Sequence, residues 1–412
     1  MNILWLSQIV PYPPTGKGVL QRSYNLIREL ARFHHVYLLS FVQRKAILDT
    51  LGDVDQGLAD AYDHLRTFCA EVKFIPLSVD KWQYGKVWFA AKSLFSPDPY
   101  SVNWMKEKNM EENLQQWQER YTFDLVHFDT IGLAPYYPIF GNYMTILDHH
   151  NIESHMMLRR ASMEGNLLKR AYYWQEGVKL MCYEKRWCPR FDLHITCSAV
   201  DSQRLKERVP RVRVVEIPNG VDIEYFTADD SVPEPNSLIF AGNLSWYPNA
   251  EAMLYFAEKV WPLLRAAVPN AVMNVVGADP PARLTTLANR DPNFKVHGFV
   301  PDVRPFLNRA AVYVCPIMNG GGTKLKVLDA LAMAKALVAH PIACEGIDVI
   351  DGETVLFAQE AEQYVQNIKA LFQDPVYCKR MGTRARALAV DKYSYKSIGE
   401  KLSEEFRLLA LA

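Results

Sequence analysis

The chain has 412 residues, 49% of them hydrophobic and 22% charged, with 46 Lys and Arg matched by 46 Asp and Glu. The length predicts two domains or one large one, either with ample core and no need of a disulfide or metal staple. The neutral balance argues against a nucleic-acid partner, because such domains carry a basic excess that releases counterions. Seven cysteines (Cys69, Cys182, Cys188, Cys197, Cys315, Cys344, Cys378), odd in number and without a C-x-x-C pair, fit buried thiols in a reducing compartment and argue against zinc.

Residues 2–10 form an apolar run that lacks a basic flank and enters Pro11, Pro13 and Pro14 directly, so it reads as a buried strand and not as a signal peptide. No later stretch reaches the roughly 18 uncharged apolar residues of a membrane span. Residues 20–33 carry Leu26, Ile27 and Leu30 at helical spacing, and 36–42 is again continuously apolar. Strand, helix, strand with runs apolar at every position predicts a parallel sheet covered on both faces. The pattern recurs at 72–77, 124–128, 144–147 and 193–197, giving one doubly wound domain over residues 1–217. A polar, Pro-rich linker at 229–236 precedes a second series at 237–241, 271–276, 294–297, 312–315 and 336–339. The second domain is expected over 218–392. Residues 393–412 place Ile398, Leu402, Phe406, Leu408 and Leu409 at helical spacing, and their docking side stays open. The fold class is α/β, with two tandem doubly wound, Rossmann-like domains. Ligands of such sheets bind outside the carboxyl ends of the strands, which makes a cleft between the two the expected site.

Loops at those strand ends hold the chemistry. Gly16-Lys17-Gly18 follows the first strand, where bare N–H groups and a helix end can receive an anion or simply make a turn. A dinucleotide fingerprint fails there, with Gln21 at the third glycine position and Gln43 where an acid is needed. The sharpest signal is Gly320-Gly321-Gly322-Thr323-Lys324 after the 312–315 strand. Three glycines let backbone approach a ligand, Thr323 is placed to cap the following helix, and Lys324 with the helix end suits a pyrophosphate. Asp329, under two turns into that helix, is placed to accept hydrogen bonds from sugar hydroxyls such as those of a ribose. His149 and His150 follow the 144–147 strand and point different ways, so at most one serves a site, the other being structural. The stretch from Gly242 and Asn243 to Asn249 is a phosphate contact or a plain βα turn. Asp53-Val54-Asp55 superficially matches a metal-binding Asp-x-Asp, but its polar context reads as a solvated loop.

Residues 159–190 carry eight basic against three acidic side chains with Tyr172, Tyr173, Trp174, Tyr183 and Trp187 interleaved. On a helix this suits an anionic membrane surface or a lipid-diphosphate acceptor, and it equally suits a solvated helix with aromatic core contacts. Trp82, Tyr84, Trp88, Phe89, Phe95 and Trp104 form a second aromatic stretch, either an acceptor wall or core.

Taken together, the tandem domains, the Pro14 to Gly18 loop, the Ile217-Pro218-Asn219-Gly220-Val221-Asp222 junction, the His297-Gly298-Phe299-Val300-Pro301 loop and the glycine-rich helix start ending in Asp329-Ala330-Leu331-Ala332 resemble the family 4 retaining glycosyltransferases of GT-B fold, of the bacterial surface-polysaccharide type. The resemblance implies a nucleotide sugar as donor. Its base would meet backbone near Phe299 and Val300, its ribose Asp329, its diphosphate the turn from Gly321 through Gly322 and Thr323 to Lys324, and Gly16 and Gly18 a phosphate from the other domain. His150 matches the family histidine that contacts the donor sugar or stabilises developing charge. No cofactor or divalent metal is implied, since basic side chains and helix ends stabilise the leaving diphosphate.

Two departures stand out. The first acid of the family's paired-acid motif is Gly321 here, and the Arg and Lys usual after the first strand of the donor domain are replaced by the Gly242 to Asn249 stretch. Lys324 is therefore expected to supply the missing charge, with Lys326, further into the helix, second to it; Lys324→Ala should then cut turnover on the order of a hundredfold. The expected function is sugar transfer with retention to a glycan or lipid-linked acceptor, in the cytoplasm or at the inner face of the membrane. An epimerase or hydrolase of the same fold, and a binding partner without catalysis, are the alternatives.

Overall fold

The computed structural model describes every residue except 15–17, 82–84, 230, 320–321 and 412, and the side chains of all the others but 81 and 85–87. Gly16 and Gly321 therefore lie outside the described residues, as do Lys17, Trp82, Tyr84 and Gly320. The chain divides into a first unit, Met1–Pro218 with Ile398–Ala412, and a second unit, Asn219–Ser397.

In the first unit, strands β1 (Asn2–Ser7), β2 (His35–Val42), β3 (Glu71–Pro76), β4 (Leu125–Phe128), β5 (Met144–His149), β6 (Leu193–Thr196) and β7 (Val214–Glu216) form one sheet in the order β3-β2-β1-β4-β5-β6-β7. All its pairings are parallel. The apolar runs seen in the sequence are the reason: Ile3, Leu4, Trp5 and Leu6 are all buried, so both faces of β1 are covered. Strand order reverses between β1 and β4, which opens a crevice at their carboxyl ends.

The second unit repeats the plan with β8 (Ser237–Ala241), β9 (Val272–Val276), β10 (Phe294–Gly298), β11 (Val312–Cys315), β12 (Ala336–Ala339) and β13 (Leu356–Phe357), ordered β10-β9-β8-β11-β12-β13 and again parallel. Its reversal falls between β8 and β11. The segments that follow those two strands are the Gly242 to Asn249 stretch and, among the described residues, Gly322 to Lys324.

The C-terminal helix Tyr395–Ala410 settles the docking side that the sequence left open. Ile398, Leu402, Phe406 and Leu409 are buried with Ile3, Trp5, Leu26, Ile27 and Leu30 in a core of the first unit. Its approach is close, because a Cβ on Gly399 would sit 2.3 Å from the Cβ of Glu29. Polar register is added by a hydrogen bond of 2.8 Å between His34 Nε2 and Ser403 Oγ.

Candidate functional site

The carboxyl ends of β8, β9 and β10 are locked side by side through backbone. Gly242 N–H donates to the Val276 carbonyl (2.9 Å), Leu244 N–H to that of Ala278 (2.9 Å), and Gly277 N–H to that of Gly298 (2.8 Å). A Cβ on Gly277 would come within 1.9 Å of the Gly242 carbonyl oxygen, so only glycine permits the approach. Gly298 has φ +69°, which turns the chain so that Phe299 stands 75% exposed, with Val300 packed partly on the core. The Asn243 carboxamide is spent on its own turn, accepting from Ser245 N–H (2.9 Å) and Oγ–H (2.8 Å).

Across the crevice, the helix Leu325–Ala332 starts at Lys324 without a side-chain cap. The expected cap by Thr323 is not made; its Oγ1 is buried and has no partner among the described residues. Lys324 is itself buried, and its ammonium donates to the Gly322 carbonyl (2.7 Å), bracing the turn from inside. Lys326 reaches over to the β8 loop instead: Nζ donates to Asn249 Oδ1 (2.5 Å) and lies 5.1 Å from the Trp246 ring centre and 5.7 Å from that of Phe240. Asp329 follows one turn later on the same side. Burial pushes its carboxyl up to about 7, an effect that Lys326 partly offsets, and its side chain makes no hydrogen bond among the described residues. An uncapped helix start, an unpaired hydroxyl and an unpaired carboxylate at one crevice form a place for a polyhydroxylated anion.

The first unit builds a different site at its own reversal. Ser7 Oγ–H donates to Asp129 Oδ2 (2.9 Å), tying the end of β1 to the residue just past β4, and Ser23 Oγ lies 3.1 Å from both carboxylate oxygens. His150, just past β5, places Nε2 3.0 Å from Asp129 Oδ1. Burial by itself would lower the His150 pKa, but the Asp129 carboxylate outweighs it and the pKa is raised. Glu153 joins from the next helix through Thr130 Oγ1 (2.7 Å), its carboxyl raised by burial. Asp148 is sealed in an ion pair with Arg22 (3.2 Å), which also donates to the carbonyls of Ile217 (2.9 Å) and Pro218 (3.1 Å). Asp129, Ser7 and Ser23 escaped the sequence reading, although Asp129 obeys the strand-end rule that found His150.

His149 is the structural member of the histidine pair. His194 Nε2–H donates to the Cys188 carbonyl (2.9 Å), so His194 Nδ1 accepts from His149 Nε2–H (3.0 Å), and burial holds both rings neutral. His149, His194 and the Cys188 thiol are the one group among the described residues with metal-ligand proximity, but the two rings are committed to these hydrogen bonds. Asp53 caps the helix Val54–Leu65 by accepting from Gln56 N–H (2.8 Å), which explains Asp53-Val54-Asp55 without a metal. Gly18 opens the helix Gly18–Leu30.

The basic segment forms the helices Glu153–Met163 and Leu167–Trp187. Glu176 and Glu184 turn inward, to Tyr100 N–H (2.7 Å) and to Ser154 N–H (3.0 Å), while Arg160, Lys169, Arg170, Lys185, Arg186 and Arg190 stay exposed. Leu167 (77% exposed), Leu168 (84%) and Trp174 (59%) are exposed on the second of these helices. In the aromatic stretch Phe89 and Trp104 pack on the core, whereas Trp88 and Phe95 are exposed. No described helix is long and apolar enough to cross a membrane.

Residues 235–374, wholly inside the second unit, match the family described as Glycosyl transferases group 1. A Klebsiella pneumoniae protein, an uncharacterized 44.6 kDa protein in the cps region, is 21% identical over 259 residues, 59% of this chain and 63% of its own length. The fold is similar to that of sucrose-phosphate synthase from Thermosynechococcus elongatus (TM-score 0.70, 15% identity, all of both chains). HepE from Anabaena, solved in complex with UDP, superposes with a TM-score of 0.66 at 14% identity, over 99% of this chain and 100% of that one. The architecture is GT-B, two Rossmann-like α/β domains, and the match to the group 1 glycosyltransferase family lies in the second.

Proposed function

We propose that the chain is a retaining glycosyltransferase that moves a sugar from a nucleoside-diphosphate sugar to a glycan or lipid-linked acceptor in surface-polysaccharide synthesis, without a divalent metal. The carrying observation is the second unit's crevice, where an uncapped helix start, Thr323, Lys326 and Asp329 converge on the strand ends of the family-matched domain. Binding of UDP and of UDP-glucose by HepE, and a relative in a cps region, support the donor class and the setting.

In this reading the base lies against the Gly298 to Val300 loop, Asp329 receives the ribose hydroxyls, and the helix start with Gly322 and Thr323 receives the diphosphate. Preorganised donors there stabilise charge as the diphosphate leaves. Among the described residues the carboxylates at the two strand-order reversals are engaged: Asp129 is held by two serines and His150, Asp148 by Arg22, and Asp329 serves the ribose. The acceptor hydroxyl therefore attacks from the leaving-group face, a leaving phosphate oxygen takes its proton, and configuration is retained. His150, its pKa raised by Asp129, steadies the reacting groups. The exposed basic and apolar surface of Leu167–Trp187 seats the protein on an anionic membrane.

The test is release of nucleoside diphosphate from a panel of UDP-, GDP-, ADP- and dTDP-sugars, with and without a lipid-linked acceptor and with EDTA. Acceptor-dependent, EDTA-insensitive release with a retained anomeric coupling constant by NMR is expected. Release without acceptor would make the protein a hydrolase, an isomerised donor would make it an epimerase, and binding without turnover would reduce it to a partner.

A further inference from the structure

Among the described residues, the two lysines at the start of the helix Leu325–Ala332 take different directions. Lys324 is buried and bonded to the carbonyl of its own turn. Lys326 leaves the first turn of the helix and crosses to the β8 loop, where Gly242 gives it room: a Cβ at 242 would stand 2.8 Å from Lys326 Cε and 3.2 Å from Nζ. Its position is fixed on the far side as well. Asn249 is 1% exposed, and its Nδ2–H donates to the Asn243 carbonyl (2.5 Å), which leaves Oδ1 aimed at the ammonium. Trp246 and Phe240 present ring faces to the charge.

An ammonium carries three N–H donors, and among the described residues one of these, to Asn249, has a hydrogen-bond acceptor. Burial lowers the Lys326 pKa, with Asp329 acting against it, so the charge sits in a place that compensates it incompletely. At the start of the same helix there is no side-chain cap, and the Thr323 hydroxyl has no partner among the described residues. A ligand anion at this point would satisfy all three.

We propose that Lys326 is the diphosphate-binding cation of the second unit, donating to a phosphate oxygen while Asn249 and the aromatic rings hold it at the Gly242 turn. This rests on reading that unit as a nucleoside-diphosphate site. It assigns the compensating charge to the third residue after Thr323 and gives Lys324 the work of shaping the turn. A point charge on a flexible stem suits phosphate, and anchoring the stem removes the ordering cost that binding would otherwise carry.

The experiment compares UDP with uridine, and GDP with guanosine, by calorimetry on the full chain. The variants are Lys326→Met, Lys326→Gln, which keeps a donor for Asn249 without the charge, Lys326→Arg, and Lys369→Met as a charge-matched control on another helix, each checked by its melting temperature. Both neutral variants should weaken diphosphate binding about tenfold or more and leave nucleoside binding within about twofold, with Arg restoring most of the loss and the control behaving as wild type. If diphosphate and nucleoside affinities fall together, Lys326 is only a brace for the loop and the proposal is overturned. Unchanged diphosphate affinity overturns it too. A wild-type chain that binds no nucleoside diphosphate removes the reading of the unit itself.

Discussion

His150 Nε2 and Asp129 Oδ1 lie 3.0 Å apart just past the ends of β5 and β4, and Ser7 and Ser23 hold the carboxylate from its other side. A carboxylate fixed by two hydroxyls cannot turn away, so it orients the imidazole and favours its charged form. The raised His150 pKa means that this pair stabilises the fold fully below the ordinary histidine range, and that the contribution is lost as pH rises through the raised value.

Asp129→Asn should therefore bring the His150 titration, followed by NMR, below the ordinary value near 6.5, because burial then acts without its counter-charge. Turnover at neutral pH should fall on the order of ten- to a hundredfold, with little change in nucleotide affinity. An unmoved His150 titration would show that the carboxylate does not set its charge.

Asp329 shifts in the same direction from a different cause, burial of the carboxyl. Its carboxyl titrates at about 7 in the fold, against an ordinary value near 4, so the folded chain holds the extra proton and stability falls as pH rises from 4 to 7. Asp329→Asn should stabilise the protein at pH 8 by on the order of 2–4 kcal/mol and by almost nothing at pH 4 in urea unfolding. The same change should abolish donor binding. In the wild type, affinity for a nucleotide sugar should weaken as pH drops below 7, when the acceptor of the ribose hydrogen bonds becomes protonated. A pH-independent affinity would remove Asp329 from the ribose.

The sequence made eleven of the thirteen strands among the described residues legible because central parallel strands are apolar at every position, as at Leu4, Trp5 and Leu6. The two it missed, Val214–Glu216 and Leu356–Phe357, are short edge strands, with too few residues to show a pattern. Asp329 and His150 were visible because each follows a strand or glycine turn at a fixed offset. The direction of a lysine side chain has no such signature. Lys324 and Lys326 are two residues apart at one helix start, yet Lys324 bonds the Gly322 carbonyl while Lys326 reaches the β8 loop beside Gly242. The Asp129 network is likewise invisible locally, since its partners stand 106 and 122 residues away.

Leu167 and Leu168, 77% and 84% exposed beside Lys169 and Arg170, should carry the protein onto membranes. Co-sedimentation is expected with vesicles containing anionic lipid and not with purely zwitterionic ones, and it should weaken as salt screens the basic face. Leu167→Ser with Leu168→Ser should reduce partitioning about tenfold or more, as burial of one leucine contributes roughly 1.5–3 kcal/mol. Equal sedimentation of the double variant would leave this surface merely solvated.

Gly277→Ala tests whether the strand ends themselves organise the donor site. The added methyl would meet the Gly242 carbonyl oxygen at 1.9 Å, backbone against which no side chain can swing away, so the β8 and β9 loops must separate. Separation breaks the Leu244 to Ala278 hydrogen bond and moves Gly242 away from Lys326, although every polar side chain of the crevice is retained. Nucleoside diphosphate affinity should fall at least tenfold, together with a loss of stability of about 1–3 kcal/mol from overpacking. Gly298→Ala is the contrasting change. It has open space around its Cβ but a φ of +69°, so its cost is backbone strain of about 1–2 kcal/mol without a clash, and base recognition at Phe299 should suffer more than diphosphate binding. If Gly277→Ala binds diphosphate as well as the wild type, the close packing of these loops serves the fold alone.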